Sequence, residues 1–314
     1  NASAVMRSPS STRPSATVRS PMVGITSCAC IGNAANIAKI ASQPILALMR
    51  PCLSLATVVA AILSCLPALA HEFWISPEDY RIAPDAPLVA HLRNGQSFNG
   101  APLAYFSTKT ARFELIQGAN TEPVKSRMGD IPALSTTAPP SSGLLVILHE
   151  TRPARVTYAE MATFQSFAAH KDLAVSAADH AARGLPESDF TESYRRFAKA
   201  LLAVGDGAGA DQSTGMETEF VALTNPYADH DGTVRLRLLY HGKSRGNAQV
   251  ELFDKAPDGT VTTTLYRTDA QGIVTLPVTP GHSYLADAVV LRPAPPGGDI
   301  VYESLWAAMT FAVP

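Results

Sequence analysis

Past its first 70 residues, the chain's hydrophobic pattern falls into three zones. Between His71 and Thr163 short alternating or β-branched runs recur at Leu88–Leu92, Ala104–Phe106, Arg112–Ile116, Leu144–His149 and Val156–Tyr158. Turn-forming pairs punctuate them: Asn94-Gly95, Asn99-Gly100, Gln117-Gly118 and Pro139-Pro140. Strand-length runs bounded by such residues predict an N-terminal β-domain over 71–163. The next zone, 164–215, reads as a helical insertion and linker. Phe190, Tyr194, Phe197 and Leu201 recur at i, i+4, i+7 and i+11, the stripe of a 3.6-residue period. Asp189 with Glu192 three residues on resembles a capping box, and Gly205 offers a stop. A shorter helix is expected over Lys171–Ala182, and Gly205–Gly215 reads as a glycine-rich linker.

The last zone, 216–314, has the spacing of a C-terminal antiparallel β-sandwich of transthyretin-like or Greek-key type. Seven strands are expected near Phe220–Leu223, Thr233–Tyr240, Ala248–Phe253, Thr260–Tyr266, Ile273–Val278, Tyr284–Leu291 and Trp306–Val313. Short strands with frequent turns favour a sandwich over a βαβ fold. Val234, Leu236, Leu238 and Tyr240 lie two apart, as on one face of a half-buried strand. The fold class expected is mainly β.

The first 70 residues follow none of these patterns. They hold Arg7, Arg13, Arg19, Lys39 and Arg50 but no Asp or Glu. From Met49 they read as a signal peptide over 49–70: a positive Arg50, an uncharged apolar run from Leu53 to Leu66, then Ala68-Leu69-Ala70 as a cleavage site. That run is too short for the roughly 20 residues of a spanning helix. Residues 1–48 read as a leader extension or a misassigned start. An uncleaved anchor, a lipoprotein modified at Cys65 and an organelle transit peptide are the competing readings. The signal-peptide reading makes the protein periplasmic. All four cysteines (Cys28, Cys30, Cys52 and Cys65) precede His71, so no disulfide or thiolate metal site is available beyond it. Five of the 25 Lys and Arg residues, and none of the 27 Asp and Glu, lie before His71, leaving about −7 on the remainder. That balance argues against nucleic acid as a partner.

Several segments together resemble a family of exported bacterial proteins of unknown function that is described as the periplasmic component of ABC-type cobalt or nickel uptake. They are Ala70-His71-Glu72-Phe73-Trp74-Ile75-Ser76-Pro77, Tyr194-Arg195-Arg196 with Lys199-Ala200-Leu201, and Glu219-Phe220 running to Asn225-Pro226-Tyr227. His241-Gly242-Lys243, Thr268-Asp269-Ala270-Gln271-Gly272 and Glu303-Ser304-Leu305-Trp306 complete the set. The C-terminal zone is also similar to carboxypeptidase-regulatory and transthyretin-like sandwiches. The resemblance implies a metal-handling protein, with an inner-membrane ABC-type metal permease as partner.

His71 is the residue on which such chemistry would turn. If cleavage follows Ala70, its α-amine and its imidazole can chelate one divalent ion, since both nitrogens suit Ni²⁺, Co²⁺, Cu²⁺ and Zn²⁺. Nickel or cobalt is expected from the resemblance, with copper or zinc as alternatives. His91, His149, His241 and His282 are the candidate further ligands, on expected strands or turns. Asp229-His230-Asp231 and Asp269 read as turn residues. Trp74 and Trp306 read as core residues. No Gly-x-Ser-x-Gly or His-Glu-x-x-His motif occurs, and the chain is expected not to be an enzyme. Two rival functions stand beside metal capture: a structural or adhesion-like module binding protein or carbohydrate, and a copper protein using an N-terminal histidine.

Overall fold

The computed structural model describes residues 72–314 except Asp229. The leader, its cleavage site and His71 lie outside the described residues. The described chain opens with β1 (Glu72–Pro77), β2 (Arg81–Ile82) and the hairpin β3 (Pro87–Gln96) and β4 (Asn99–Leu103). A second hairpin, β5 (Thr110–Gln117) and β6 (Asn120–Pro123), is followed by β7 (Leu134–Thr137), β8 (Gly143–Thr151) and β9 (Ala154–Tyr158). Two helices, α1 (Met161–His170) and α2 (Ala177–Ala182), lead into β10 (Phe190–Val204). The C-terminal part comprises β11 (Thr218–Ala222), β12 (Thr233–Tyr240), β13 (Lys243–Ser244), β14 (Gln249–Lys255), β15 (Val261–Arg267), β16 (Ile273–Pro277), β17 (Ser283–Pro293) and β18 (Ile300–Ala312).

These strands build three sheets. The central one has ten strands in the order β15-β14-β17-β18-β10-β8-β5-β6, with β2 and β9 also on β10. It takes strands from both the N-terminal and the C-terminal zones, joined where β10 runs parallel to β18. A small sheet of β1, β3, β4 and β7 covers one face, and another of β11, β12, β13 and β16 covers the other. Side chains alternate along β10, so it serves both cores. Phe197, Leu201 and Ala203 join Phe220, Leu236 and Leu238 on one side. Ala198, Ala200, Leu202 and Val204 join Trp74, Ile75 and Leu134 on the other. Among the described residues no helix is long and apolar enough to cross a membrane.

The expected helix over 189–205 is instead β10, the central strand of the molecule. Phe197–Val204 is buried on both faces, and in that setting a strand reads as a continuous apolar run that periodicity cannot separate from a helix. Asp189 has φ 54°, outside the extended region that an N-cap adopts. The shorter helix also shifts: Lys171 closes α1, and α2 starts after Ser176, whose Oγ accepts the amide of Asp179 at 3.0 Å. Residues 104–106 are not a strand. The first hairpin turns at Ser97 and Phe98, both at positive φ, and not at the two Asn-Gly pairs. Gly95 and Gly100 oppose each other across that hairpin because nothing larger fits. A Cβ on Gly100 would lie 2.4 Å from the Asn94 carbonyl oxygen and 2.8 Å from Trp74 Cη2.

Candidate functional site

The site begins where β10 changes partner. Its C-terminal half pairs with β8, with Leu201 opposite Val146, and its N-terminal half pairs with β9, with Tyr194 opposite Ala154. The register moves by one residue between the two, at Arg152-Pro153, where proline has no amide to give the ladder. A cavity of about 690 Å³ opens beside this junction. Phe73, Leu92, Phe106, Val156, Phe167 and Trp306 supply much of its apolar wall.

Arg196 enters this wall from β10. Its backbone amide donates to Thr151 Oγ1 at 2.9 Å. Its guanidinium lies 4.0 Å from the ring centroid of Trp306 and 5.1 Å from that of Tyr194. Among the described residues Arg196 makes no salt bridge, and its buried Nη1 has no hydrogen-bond partner. Burial pulls its pKa below the usual arginine value, opposed by the charge of Asp287. Trp306 is held in turn: its indole Nε1 donates to Ser304 Oγ at 3.0 Å, and Ser304 donates to Glu192. Tyr158 donates to the other Glu192 oxygen at 2.9 Å. Burial raises the Glu192 pKa, and the Ser304 and Tyr158 bonds restrain the rise.

His149 stands elsewhere on the wall, packed against Phe73 and Phe113 at centroid distances of 5.3 and 5.1 Å. Its Nε2 lies 3.1 Å from Thr110 Oγ1, and its buried Nδ1 has no partner among the described residues. Burial lowers its pKa to about 3, so the ring is neutral at physiological pH.

Behind Trp306 lies a second cluster. Lys171 Nζ is 2.7 Å from Glu251 Oε2, 2.9 Å from Asp287 Oδ2 and 3.3 Å from Glu72 Oε1, all of them buried. It also sits 5.0 Å from the Trp306 ring centroid. Burial would depress the lysine, but the three carboxylates hold its pKa above the usual value. Burial raises Glu72 to about 7 even though Lys171 works against the shift.

The four histidines expected as further metal ligands are dispersed. His91 on β3 contacts Glu78 at 3.1 Å, and His282 Nδ1 contacts Asp254 at 2.6 Å. His241, after β12, faces Glu217 at 3.6 Å, and His149 lies in the cavity wall. Among the described residues no group of three or more His, Cys, Asp or Glu side chains is placed to hold a metal ion. The described histidines therefore do not form a donor set by themselves. The loop residues behave as turn formers: His230 Nδ1 accepts from the Gly232 amide and Asp231 Oδ1 from Thr233, while Asp229 lies outside the described residues. Asp269 caps its hairpin by accepting from the amides of Gln271 and Ile273. Trp74 is a core residue, whereas Trp306 also lines the cavity. In the expected helix Arg196 lies off the apolar stripe of Phe190, Tyr194, Phe197 and Leu201. Read as a strand, it falls on the same side as Tyr194 and Ala198.

The D0-D1 domain of intimin aligns at 14% identity and TM-score 0.19, over 76% of this chain and 97% of that one. The BSP domain of a biofilm-associated protein aligns at 11% and 0.19, over 76% and 30%. A tetra-tandem repeat from the extending region of a large adhesion protein aligns at 14% and 0.21, over 78% and 50%. At those scores the likenesses carry no argument about function. No curated protein sequence matches. The domain of unknown function DUF4198 matches residues 68–292, which include the Lys171 cluster and the cavity lining apart from Trp306, and the chain therefore belongs to the DUF4198 family.

Proposed function

We propose that this chain is an exported, non-catalytic binding protein whose site is the cavity between β1, β3, β8, β9 and β10. The observation that carries this is the composition of the wall. An apolar and aromatic surface surrounds a guanidinium whose Nη1 has no partner among the described residues. Concave, mostly apolar sites with a few fixed polar groups are the usual form of small-molecule pockets, and about 690 Å³ lies within their normal range of ~300–1,000 Å³. The test is a panel of soluble small molecules followed by Trp fluorescence and calorimetry, on the native protein and on Val156→Trp, which fills the cavity from its rim. Binding that is lost in the filled variant is expected. A panel with no binder sensitive to that substitution would overturn the reading.

Metal capture is the second reading, and it rests on His71. His71 immediately precedes Glu72, whose buried Oε2 has no partner among the described residues and whose other oxygen meets Lys171. A free amino-terminal histidine would bring two nitrogen donors to a carboxylate. The resemblance to proteins described as nickel or cobalt uptake components favours those ions, and an ABC-type permease would be the recipient. Calorimetry with Ni²⁺, Co²⁺, Cu²⁺ and Zn²⁺ on correctly processed protein tests it, compared with a form carrying one Ala ahead of His71. Equal binding by the two forms would remove His71 as the site.

A further inference from the structure

We propose that the cavity recognises an organic anion, a carboxylate or phosphate ester on an apolar or aromatic body, with Arg196 as the residue that binds the charged group. The inference rests on the binding reading above and specifies its ligand class.

Two features point to a negative ligand, and a third to an apolar body. The first is the state of Arg196. Its guanidinium is held by ring faces and not by a carboxylate, and its buried Nη1 donates to nothing described. Arginine in contact with aromatic faces keeps its donors free for a planar or tetrahedral oxyanion. The second is the charge of the wall. Lys109, Arg152, Arg155 and Arg196 line the cavity against one acid, Glu192, although residues 71–314 carry about −7. Of the four cations only Arg155 has a carboxylate partner among the described residues, Asp299 at 2.6 Å. Both Glu192 oxygens accept hydrogen bonds, from Tyr158 and Ser304, and this acid stops short of salt-bridge distance from Arg196. The third is the apolar remainder, including Phe73, Leu92 and Val156, which requires a hydrocarbon body behind the charged group.

Trp306 is a positioning residue in this scheme. The relay from Trp306 through Ser304 to Glu192 fixes the ring, and the ring fixes Arg196. A phenylalanine there keeps a ring face but loses the indole donor.

Benzoate, phenyl phosphate and benzyl alcohol serve as probes, titrated calorimetrically at neutral pH against the native protein, Arg196→Gln, Arg196→Lys and the rim variant Lys109→Gln/Arg152→Gln. One or both anions are expected to bind at least about tenfold more tightly than the alcohol, the size of a charge-assisted hydrogen bond. That preference is expected to vanish in Arg196→Gln and to return in part in Arg196→Lys. The rim variant is expected to bind more weakly and to lose salt dependence, which holds the proposal open to test even if position 196 does not tolerate glutamine. Benzoate binding with phenyl phosphate excluded assigns a carboxylate, and the reverse assigns a phosphate ester. Equal binding of alcohol and anions, unaffected at Arg196 and at the rim, would overturn the anion assignment while leaving the cavity a binding site. Failure of all three probes at millimolar concentration would overturn it as well, and the wider panel with Val156→Trp would then decide separately whether the cavity binds anything.

Discussion

Glutamate 72 makes stability depend on pH in a direction opposite to that of an ordinary salt-bridged carboxylate. It is 3% exposed and shares Lys171 with two other buried acids. Burial lifts its pKa from the usual 4.5 to about 7, with Asp287 and Glu251 adding to the rise and Lys171 opposing it. In the unfolded chain the same carboxyl loses its proton near 4.5. Between these values the folded state holds a proton that the unfolded state has released, so stability is fully present below pH 4.5 and falls as pH rises through 7. At ~1.4 kcal/mol per pKa unit, the span from 4.5 to about 7 corresponds to roughly 3 kcal/mol. Glu72→Gln keeps the shape and removes the proton. Urea denaturation of both proteins at pH 4, 5, 6, 7 and 8 reads the effect as a difference. The glutamine variant is expected to gain about 3 kcal/mol on the native protein between pH 4 and pH 8. A difference that stays flat across this range, or that moves the other way, refutes the assignment of Glu72 as a carboxyl protonated by burial.

Two further substitutions probe the frame that holds the cavity. Lys199 Nζ contacts the buried Glu219 Oε2 at 2.9 Å and Asp211 Oδ1 at 3.3 Å, and the Gln212 carbonyl at 2.9 Å. Lys199→Met leaves two buried acids without their cation and is expected to cost about 3–5 kcal/mol in urea denaturation, with part recovered by adding Asp211→Asn; a loss below ~1 kcal/mol would contradict it. Gly100→Ala places a methyl group into the Asn94 carbonyl and the Trp74 ring and is expected to cost about 1–3 kcal/mol, checked by thermal and urea unfolding; an unchanged midpoint would mean the hairpin yields freely.

The C-terminal strands were legible because their signals are local. Thr233–Tyr240 alternates in the sequence and is β12 in the structure, and the turn residues Asp231 and Asp269 lie between strands, before β12 and β16. Here each residue faces one core or solvent, so period 2 survives. The central strand β10 failed for the opposite reason. Its neighbours are β2, β8, β9 and β18, β8 and β9 more than 30 residues away in sequence and β2 and β18 more than 90. Burial on both faces erases the alternation, and Phe190, Tyr194, Phe197 and Leu201 coincide with a helical stripe. The site was lost with the strand. Arg196 has no sequence signature, and its meaning depends on Trp306 reaching it from a strand about 100 residues on. The histidines were conspicuous as residue types, but their partners Glu78, Thr110, Glu217 and Asp254 are set by tertiary pairing.

The protein treats its two buried lysines differently from Arg196. Lys171 and Lys199 are both buried, and both are outnumbered by acids, three around the first and two around the second. Each lysine satisfies the cost of burying an ammonium with carboxylates at hydrogen-bond distance, and each ties sequence-distant segments together, as structural ion clusters do. Arg196 lies close enough to this same architecture to feel Asp287, Glu192 and Glu72, yet none of the three reaches it within salt-bridge distance. Asp287 and Glu72 are turned to Lys171, and Glu192 is turned to Tyr158 and Ser304. If the guanidinium served only to stabilise the fold, the simplest arrangement would close one of these acids onto it. Instead none of these acids closes onto it, the guanidinium rests on two aromatic rings, and Arg196 lines a cavity together with further cations. This division separates charges that complete the fold from a charge left to be completed by something that enters.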